Sequence, residues 1–232
     1  MDKKTIGIIG GMGPLATADL FKKIVMNTKA ENDREHIRIF IDNNTNIPDR
    51  TDAILRGGVS PVRELTNSAV NLEKMGADFL IMPCNTAHYF YDYIRDAVSI
   101  PILNMINITC NKIKHRGIGK VALLATDGTI KSRIYSDVFE KSGVKIIYPK
   151  ENEQPYIMDM IYNGVKAGRY DYDVSNAKKI MEDLLLRGAE ILIFGCTEIP
   201  VAVEMYKLDY PGIDPTLELA KEAINYSGAL VI

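Results

Sequence analysis

The sequence predicts an α/β protein made of two similar halves, each built on a parallel sheet, with the functional site in the cleft between them. Short, continuously apolar runs alternate with amphipathic stretches along the 232 residues, the pattern of strands buried on both faces and joined by helices. A segment of the first half also recurs in the second. Gly76-Ala77-Asp78-Phe79-Leu80-Ile81-Met82-Pro83-Cys84 stands opposite Gly188-Ala189-Glu190-Ile191-Leu192-Ile193-Phe194-Gly195-Cys196, at a constant offset of 196 − 84 = 112. A looser match sets Thr5 to Gly11 against Lys120 to Thr126, at 126 − 11 = 115.

The elements follow in order. Thr5 to Ile9 reads as a buried strand that ends in a glycine loop. Pro14 to Thr28 reads as a helix, with Pro14 in the first turn, where a missing N–H costs nothing. His36 to Ile41 is a strand, Pro61 to Met75 a helix and Phe79 to Met82 a strand. In the second half Lys120 to Ala125 is a strand, Ile130 to Ser142 a helix, Val144 to Tyr148 a strand, Val174 to Arg187 a helix and Ile191 to Phe194 a strand. The junction falls around Pro101. This gives a first half over residues 1–104 carrying Cys84, a second over 105–208 carrying Cys196, and a C-terminal segment over 209–232. That segment contains a helix, Pro215 to Tyr226, and is expected to pack back on the first half. No low-complexity linker separates the halves, so they are expected to share an extensive interface, and clefts of that kind are preferred ligand sites.

Composition narrows the partners. With 47% hydrophobic and 25% charged residues and a net charge of −2, this is an ordinary globular composition. Lys and Arg are dispersed, so no nucleic acid partner is expected. No apolar stretch approaches the ~20 residues of a membrane span. Met1 to Lys4 lead straight into the short run Ile6 to Ile9, which does not read as a secretory leader. The expected location is the cytoplasm. The three cysteines, Cys84, Cys110 and Cys196, are widely separated and lack a C-x-x-C spacing, which argues against a disulfide framework or a zinc knuckle. Free thiols in a reducing compartment are the expectation, and Cys110 reads as a small buried apolar residue.

Cys84 and Cys196 are different. Each directly follows a buried strand, and in open parallel sheets ligands bind at the carboxyl ends of strands. Two facing halves would present these thiols to one substrate from opposite sides. Inverting a carbon stereocentre by proton transfer needs a base on one face and an acid on the other, and a thiol serves in either role once its surroundings tune it. The loop Gly10-Gly11-Met12-Gly13-Pro14 matches a dinucleotide pattern only loosely. Asp42, the acidic residue that pattern would need, comes 42 − 13 = 29 residues after Gly13, against the ~20 expected. The loop reads instead as a close backbone approach to a ligand carboxylate at a helix N-terminus. Arg50, beyond the second strand, can hold a carboxylate through two hydrogen bonds. Lys166, from the residues alone, reads as a solvated charge. His88 follows Cys84 by one helical turn; a Cys–His nucleophilic pair is conceivable, but it leaves the matching second cysteine unexplained, and His88 reads as structural or as tuning the cleft. His36 and His115 read as surface residues.

Gly10-Gly11-Met12-Gly13-Pro14, Ile47-Pro48-Asp49-Arg50, Met82-Pro83-Cys84-Asn85-Thr86-Ala87-His88 and Gly195-Cys196-Thr197-Glu198 together resemble the aspartate/glutamate racemase family, over nearly the full length of the chain. The resemblance implies two α/β domains related by pseudo-twofold symmetry, no pyridoxal phosphate, no metal, and Cys84 and Cys196 as the paired acid and base. It implies that Met12, Asn85, Thr86, Thr126 and Thr197 contact substrate, and that Arg50 and Lys166 hold its side-chain carboxylate. The implied activity is cofactor-independent racemisation of an acidic amino acid, aspartate foremost and glutamate also in scope, by an enzyme that commonly forms homodimers. Some members carry threonine at the first cysteine; this sequence keeps both, which implies racemisation in both directions. Two other readings stay open at this point: a maleate cis–trans isomerase of the same superfamily, and a non-catalytic protein that binds acidic amino acids.

Overall fold

The computed structural model describes residues 3–232, so the reading of Met1 and Asp2 as the start of a chain without a leader lies outside the described residues. In the first half, β1 (Ile6–Gly10), α1 (Pro14–Asn27), β2 (Ile39–Asn43), α2 (Arg50–Arg56), α3 (Val62–Lys74), β3 (Phe79–Ile81) and α4 (Tyr91–Arg95) follow one another. Next come α5 (Met105–His115), β4 (Lys120–Leu124), α6 (Asp127–Lys131), α7 (Ser136–Ser142), β5 (Lys145–Ile147) and α8 (Gln154–Asp159). A π-helical stretch, Met160–Lys166, continues α8, and α9 (Ser175–Leu186), β6 (Ile191–Phe194), α10 (Glu198–Met205), β7 (Gly212–Ile213) and α11 (Pro215–Ser227) complete the chain.

The strands form two parallel sheets, β2-β1-β3 and β5-β4-β6-β7. The repeat seen in the sequence is a repeat of topology, because β1, β2 and β3 occupy the places of β4, β5 and β6. It extends one strand further: an isolated parallel bridge, Leu80 with Ile102, lies where Leu192 of β6 pairs with Gly212 of β7, and 212 − 102 = 110 falls close to the cysteine offset. The central strands β1, β3 and β6 are apolar or glycine throughout and fully buried because both faces are covered, whereas the edge strands β2 and β5 are only partly buried. Ile6, Ile8, Phe79 and Ile81 point into one core, while Ile9, Leu80 and Met82 point into the opposite one. Val121, Leu123, Ile191 and Ile193 alternate in the same way with Ala122, Leu124, Leu192 and Phe194, the two-residue period of a strand. Among the described residues, no helix is long and apolar enough to cross a membrane.

Three departures from the sequence reading have local causes. The helix expected over Ile130 to Ser142 is two helices. Thr126 starts α6 early by accepting from the Thr129 N–H, and Arg133, at φ 61°, turns the chain before α7. The strand expected from His36 begins only at Ile39, because a 3₁₀ turn over Asp33–Glu35, capped by the Asn32 side chain, occupies the chain ahead of it. The segment from Asp209 divides between the halves: β7 extends the second sheet, whereas Leu219, Ala220, Ala223 and Ile224 of α11 pack into the first half's core with Leu20 and Ile24 of α1.

Candidate active site

Both cysteines follow the carboxyl end of a sheet strand, β3 and β6. Tight turns there, Cys84 N–H to the Met82 carbonyl at 2.9 Å and Gly195 N–H to the Ile193 carbonyl at 2.9 Å, swing the chain off the sheet and toward the facing half. The two thiols border one cavity. Its wall comprises Met12, Asp49, Arg50, Thr51, Cys84, Asn85, Thr86, Thr126, Tyr162, Lys166, Cys196, Thr197 and Glu198. All nine residues singled out from the sequence, Met12, Arg50, Cys84, Asn85, Thr86, Thr126, Lys166, Cys196 and Thr197, are therefore gathered at one place by both halves. The cavity is about 20 Å³, room for about one water molecule. It opens past Met12, Arg50, Tyr162 and Lys166 into a cleft of about 400 Å³. An amino acid is larger than the inner space, so the walls must part to admit one. Tyr162 donates to Asp49 Oδ2 at 3.2 Å, a hydrogen bond from the second half to the first across this wall.

The surroundings of the two thiols differ. Cys196 Sγ donates to Glu198 Oε2 at 2.9 Å, and Lys166 Nζ donates to Glu198 Oε1 at 2.7 Å. Burial pushes the Cys196 thiol well up, and the charge of Glu198 pushes the same way, while Lys166 opposes it. Cys196 therefore rests as a neutral thiol with a carboxylate on its proton. Burial pulls Lys166 down, but the charge and hydrogen bond of Glu198, joined by either neighbouring cysteine whenever it is a thiolate, more than offset this and keep it a cation. On the other side stands Arg50, the first residue of α2. Burial pulls it down; Cys84 and Asp49 outweigh that and hold it charged. Its Nη1 donates to the Pro48 carbonyl at 3.0 Å and Nη2 to the Met12 carbonyl at 3.3 Å, while the buried Nε has no partner among the described residues. Thr86 of the first half meets Thr126 and Thr129 of the second at 2.9 Å each, closing a triangle of hydroxyls between the halves.

His88 is turned away from catalysis. Its Nδ1 lies 2.8 Å from the Cys84 carbonyl, and its Nε2 accepts from the Met105 N–H at 3.2 Å. The ring is thus a neutral tautomer with its proton on Nδ1. It ties the cysteine loop to the start of α5 and makes no hydrogen bond to the thiol, which removes the Cys–His pairing as a reading. Burial lowers its pKa to about 4. In the unfolded chain an imidazole takes up a proton near pH 6.5, whereas the folded one resists until about pH 4, so stability is full above about pH 6.5 and falls between those values. The loss amounts to roughly 3 kcal/mol at the acid end. His88→Gln is expected to flatten the fall of melting temperature over that window, and an unchanged pH profile in the variant would remove this role.

At Gly11 the glycine admits a close approach of the Asn44 backbone, and Gly11 and Gly13 border the outer cleft, Gly13 near Lys166 and Glu198. Glu198 and Asp49, which stand in the Cys196 and Arg50 motifs of the sequence, prove to be part of the cavity wall. The signal available was an acid beside each presumed functional residue. Thr51 and Tyr162 carried no signal, since helix α2 and the π-helical stretch were not among the expected elements.

The duplicated α/β halves and the cavity they share place the chain among the cofactor-independent amino-acid racemases, a class of isomerases. The chain belongs to the Asp/Glu/Hydantoin racemase family, whose model matches residues 9–223. It is similar to the solved aspartate racemase of Picrophilus torridus, at 32% identity and a TM-score of 0.85 over 99% of this chain and 96% of that one. It is 28% identical to the broad-specificity amino-acid racemase RacX of Bacillus subtilis, over 95% of this chain and 96% of that protein. The fold is shared with glutamate racemase from Francisella tularensis, at a TM-score of 0.64 and 21% identity over 97% of this chain and 81% of that one.

Proposed function

We propose that the protein racemises an acidic amino acid, aspartate foremost and glutamate next, with Cys84 and Cys196 as the two bases on opposite faces of the α-carbon. The observation that carries this reading is a single cavity that holds one thiol from each half between two cations, Arg50 and Lys166. The donors of Asn85, Thr86, Thr126 and Thr197 suit the α-carboxylate, where negative charge builds as the α-proton leaves. Arg50 and Lys166 suit the side-chain carboxylate, and Met12 packs beside it.

In one direction the Cys84 thiolate, beside the Arg50 charge, takes the α-proton, and the Cys196 thiol gives its proton to the opposite face. The enzyme is left with a Cys84 thiol and a Cys196 thiolate, the protonation state required by the other enantiomer. Glu198, bonded to the Cys196 proton at rest, is placed to relay a proton from solvent back to the Cys196 thiolate, while Cys84 releases to solvent the one it took, so that the starting state is restored. All three cysteines are buried and free, which fits the reducing cytoplasm.

The test is chiral chromatography of L- and D-aspartate, glutamate and alanine after incubation with wild type and Arg50→Ala. Aspartate is expected to racemise fastest with wild type. Arg50→Ala is expected to raise the aspartate KM by about 50-fold, as for loss of a charged hydrogen-bonding partner, and to change alanine little. Equal losses for both substrates contradict the assignment of Arg50. Maleate converted to fumarate, with a covalent adduct on Cys84 or Cys196 in the mass spectrum, would replace racemisation by isomerisation of a double bond.

A second reading, wider specificity, is favoured by the outer cleft, whose wall includes Met12, Pro14, Leu15, Ile47 and Val165 beside the two cations. Longer and less polar side chains could extend there. Comparable rates on several neutral amino acids would establish it over the acidic preference.

A further inference from the structure

We propose that Tyr135 is a positioning residue that sets the orientation of the Asn85 amide, so that its N–H bonds rather than its carbonyl oxygen face the substrate's carboxylate. The proposal rests on the reading of the cavity as a carboxylate-binding site and adds a residue outside the cavity wall.

Tyr135 is among the largest fully buried side chains, at 1% exposure, and precedes α7 in the second half. Its hydroxyl donates to Asn85 Oδ1 at 2.6 Å, across the interface between the halves. Asn85 is itself buried, at 2% exposure, and borders the cavity. Its Nδ2 is buried and finds no partner among the described residues. An unsatisfied amide donor is costly when it has no function, and here it lies in a wall that must meet an anion.

An asparagine amide has two orientations of nearly the same shape that differ in what they present, one acceptor or two donors. A phenol oxygen carries one proton. Burial pushes the Tyr135 pKa up, keeping that proton in place. It is given to Oδ1, which turns Nδ2 the other way. The reverse orientation would put an N–H against the phenol oxygen, leave the phenol proton without this acceptor and present a carbonyl oxygen to an anion. The hydroxyls of Thr86, Thr126 and Thr129 satisfy one another and can rotate to give or accept. The Asn85 amide is instead held by a group behind the wall.

The chain aims Tyr135 deliberately. Arg133, two residues earlier, adopts φ 61°, unusual for a residue with a side chain. Its guanidinium is held by Glu140 at 2.9 Å and Asp137 at 3.3 Å, both on the helix that Tyr135 precedes. Because the phenol comes from one half and the amide from the other, the donor is set only when the halves are docked.

The test uses the full chain and succinate, a dicarboxylate with no stereocentre, with binding measured by calorimetry in wild type, Tyr135→Phe, Asn85→Ala and the double variant. Tyr135→Phe is expected to weaken succinate binding about tenfold, the scale of one hydrogen bond at a buried anion site. In the Asn85→Ala background the same change should have no effect beyond about twofold. Unchanged affinity in Tyr135→Phe, or an equal loss in both backgrounds, overturns the proposal. Asn85→Asp gives an independent check that keeps the shape: with Tyr135 holding one oxygen, the other faces the anion, and succinate binding should fall by more than about 50-fold. Retained affinity in Asn85→Asp also overturns it.

Exchange of the aspartate α-proton by wild type, measured alongside, separates the two ideas. Exchange with no effect of Tyr135→Phe on succinate sinks the positioning role alone. Coupled binding effects without exchange sink the racemase reading alone, and no succinate binding by wild type sinks both.

Discussion

Cys84→Ala and Cys196→Ala are each expected to reduce racemisation of aspartate by about 1,000-fold or more, within the range for removal of a positioned acid or base, and to leave the fold intact. The two substitutions act alike although the thiols do not sit alike. A proton must leave one face and arrive at the other, so either loss interrupts both directions. Each side chain is buried, at 5% and 6% exposure, and trimming it to alanine costs about 1 kcal/mol through the small void left behind. Circular dichroism and melting temperature report the fold, and the optical rotation of an aspartate solution reports turnover. A normal rate in either variant would contradict a two-base mechanism.

Gly11→Ala is expected to be the most destabilising single substitution in the loop between β1 and α1. Gly11 has φ +93°, and a Cβ there would lie 2.3 Å from the Asn44 carbonyl oxygen. The backbone conformation and the collision with another backbone segment together cost roughly 3 to 5 kcal/mol. Gly57 serves as the control: it ends α2 at φ +68° with nothing within 4 Å of an added Cβ. Gly57→Ala carries the conformational cost alone, about 1 kcal/mol. Urea denaturation should separate the two variants by several kcal/mol, and equal values would remove the close approach to Asn44 as the reason for glycine. The loop also bears on the site, because the next residue, Met12, supplies a carbonyl to Arg50.

What could be read from the sequence was whatever repeats or alternates locally. Ile191–Phe194 was predicted at its observed bounds, because a strand covered on both faces has no competing pattern. The paired cysteines were legible because two copies of one segment carry them to equivalent strand ends. Lys166 was not legible from the residues. It lies on a π-helical stretch and is drawn inward by Glu198, 32 positions away in sequence, so only resemblance raised it above a surface charge. Glu198 was visible as a letter, but its bond to Lys166 exists only once α10 and the π-helical stretch have packed. The break at Arg133 was hidden for a similar reason. An apolar periodicity that crosses a turn looks continuous until the turn is seen, and that turn is what delivers Tyr135 to Asn85.

The most direct test of the central claim is proton NMR of L-aspartate and D-aspartate, in separate samples, with purified enzyme in deuterated buffer and no added cofactor. The expected result is loss of the α-proton signal from both enantiomers, with the opposite enantiomer formed in each sample and deuterium at its α-carbon. An α-proton signal that persists with aspartate, and likewise with glutamate, would contradict racemisation of an acidic amino acid by the paired thiols.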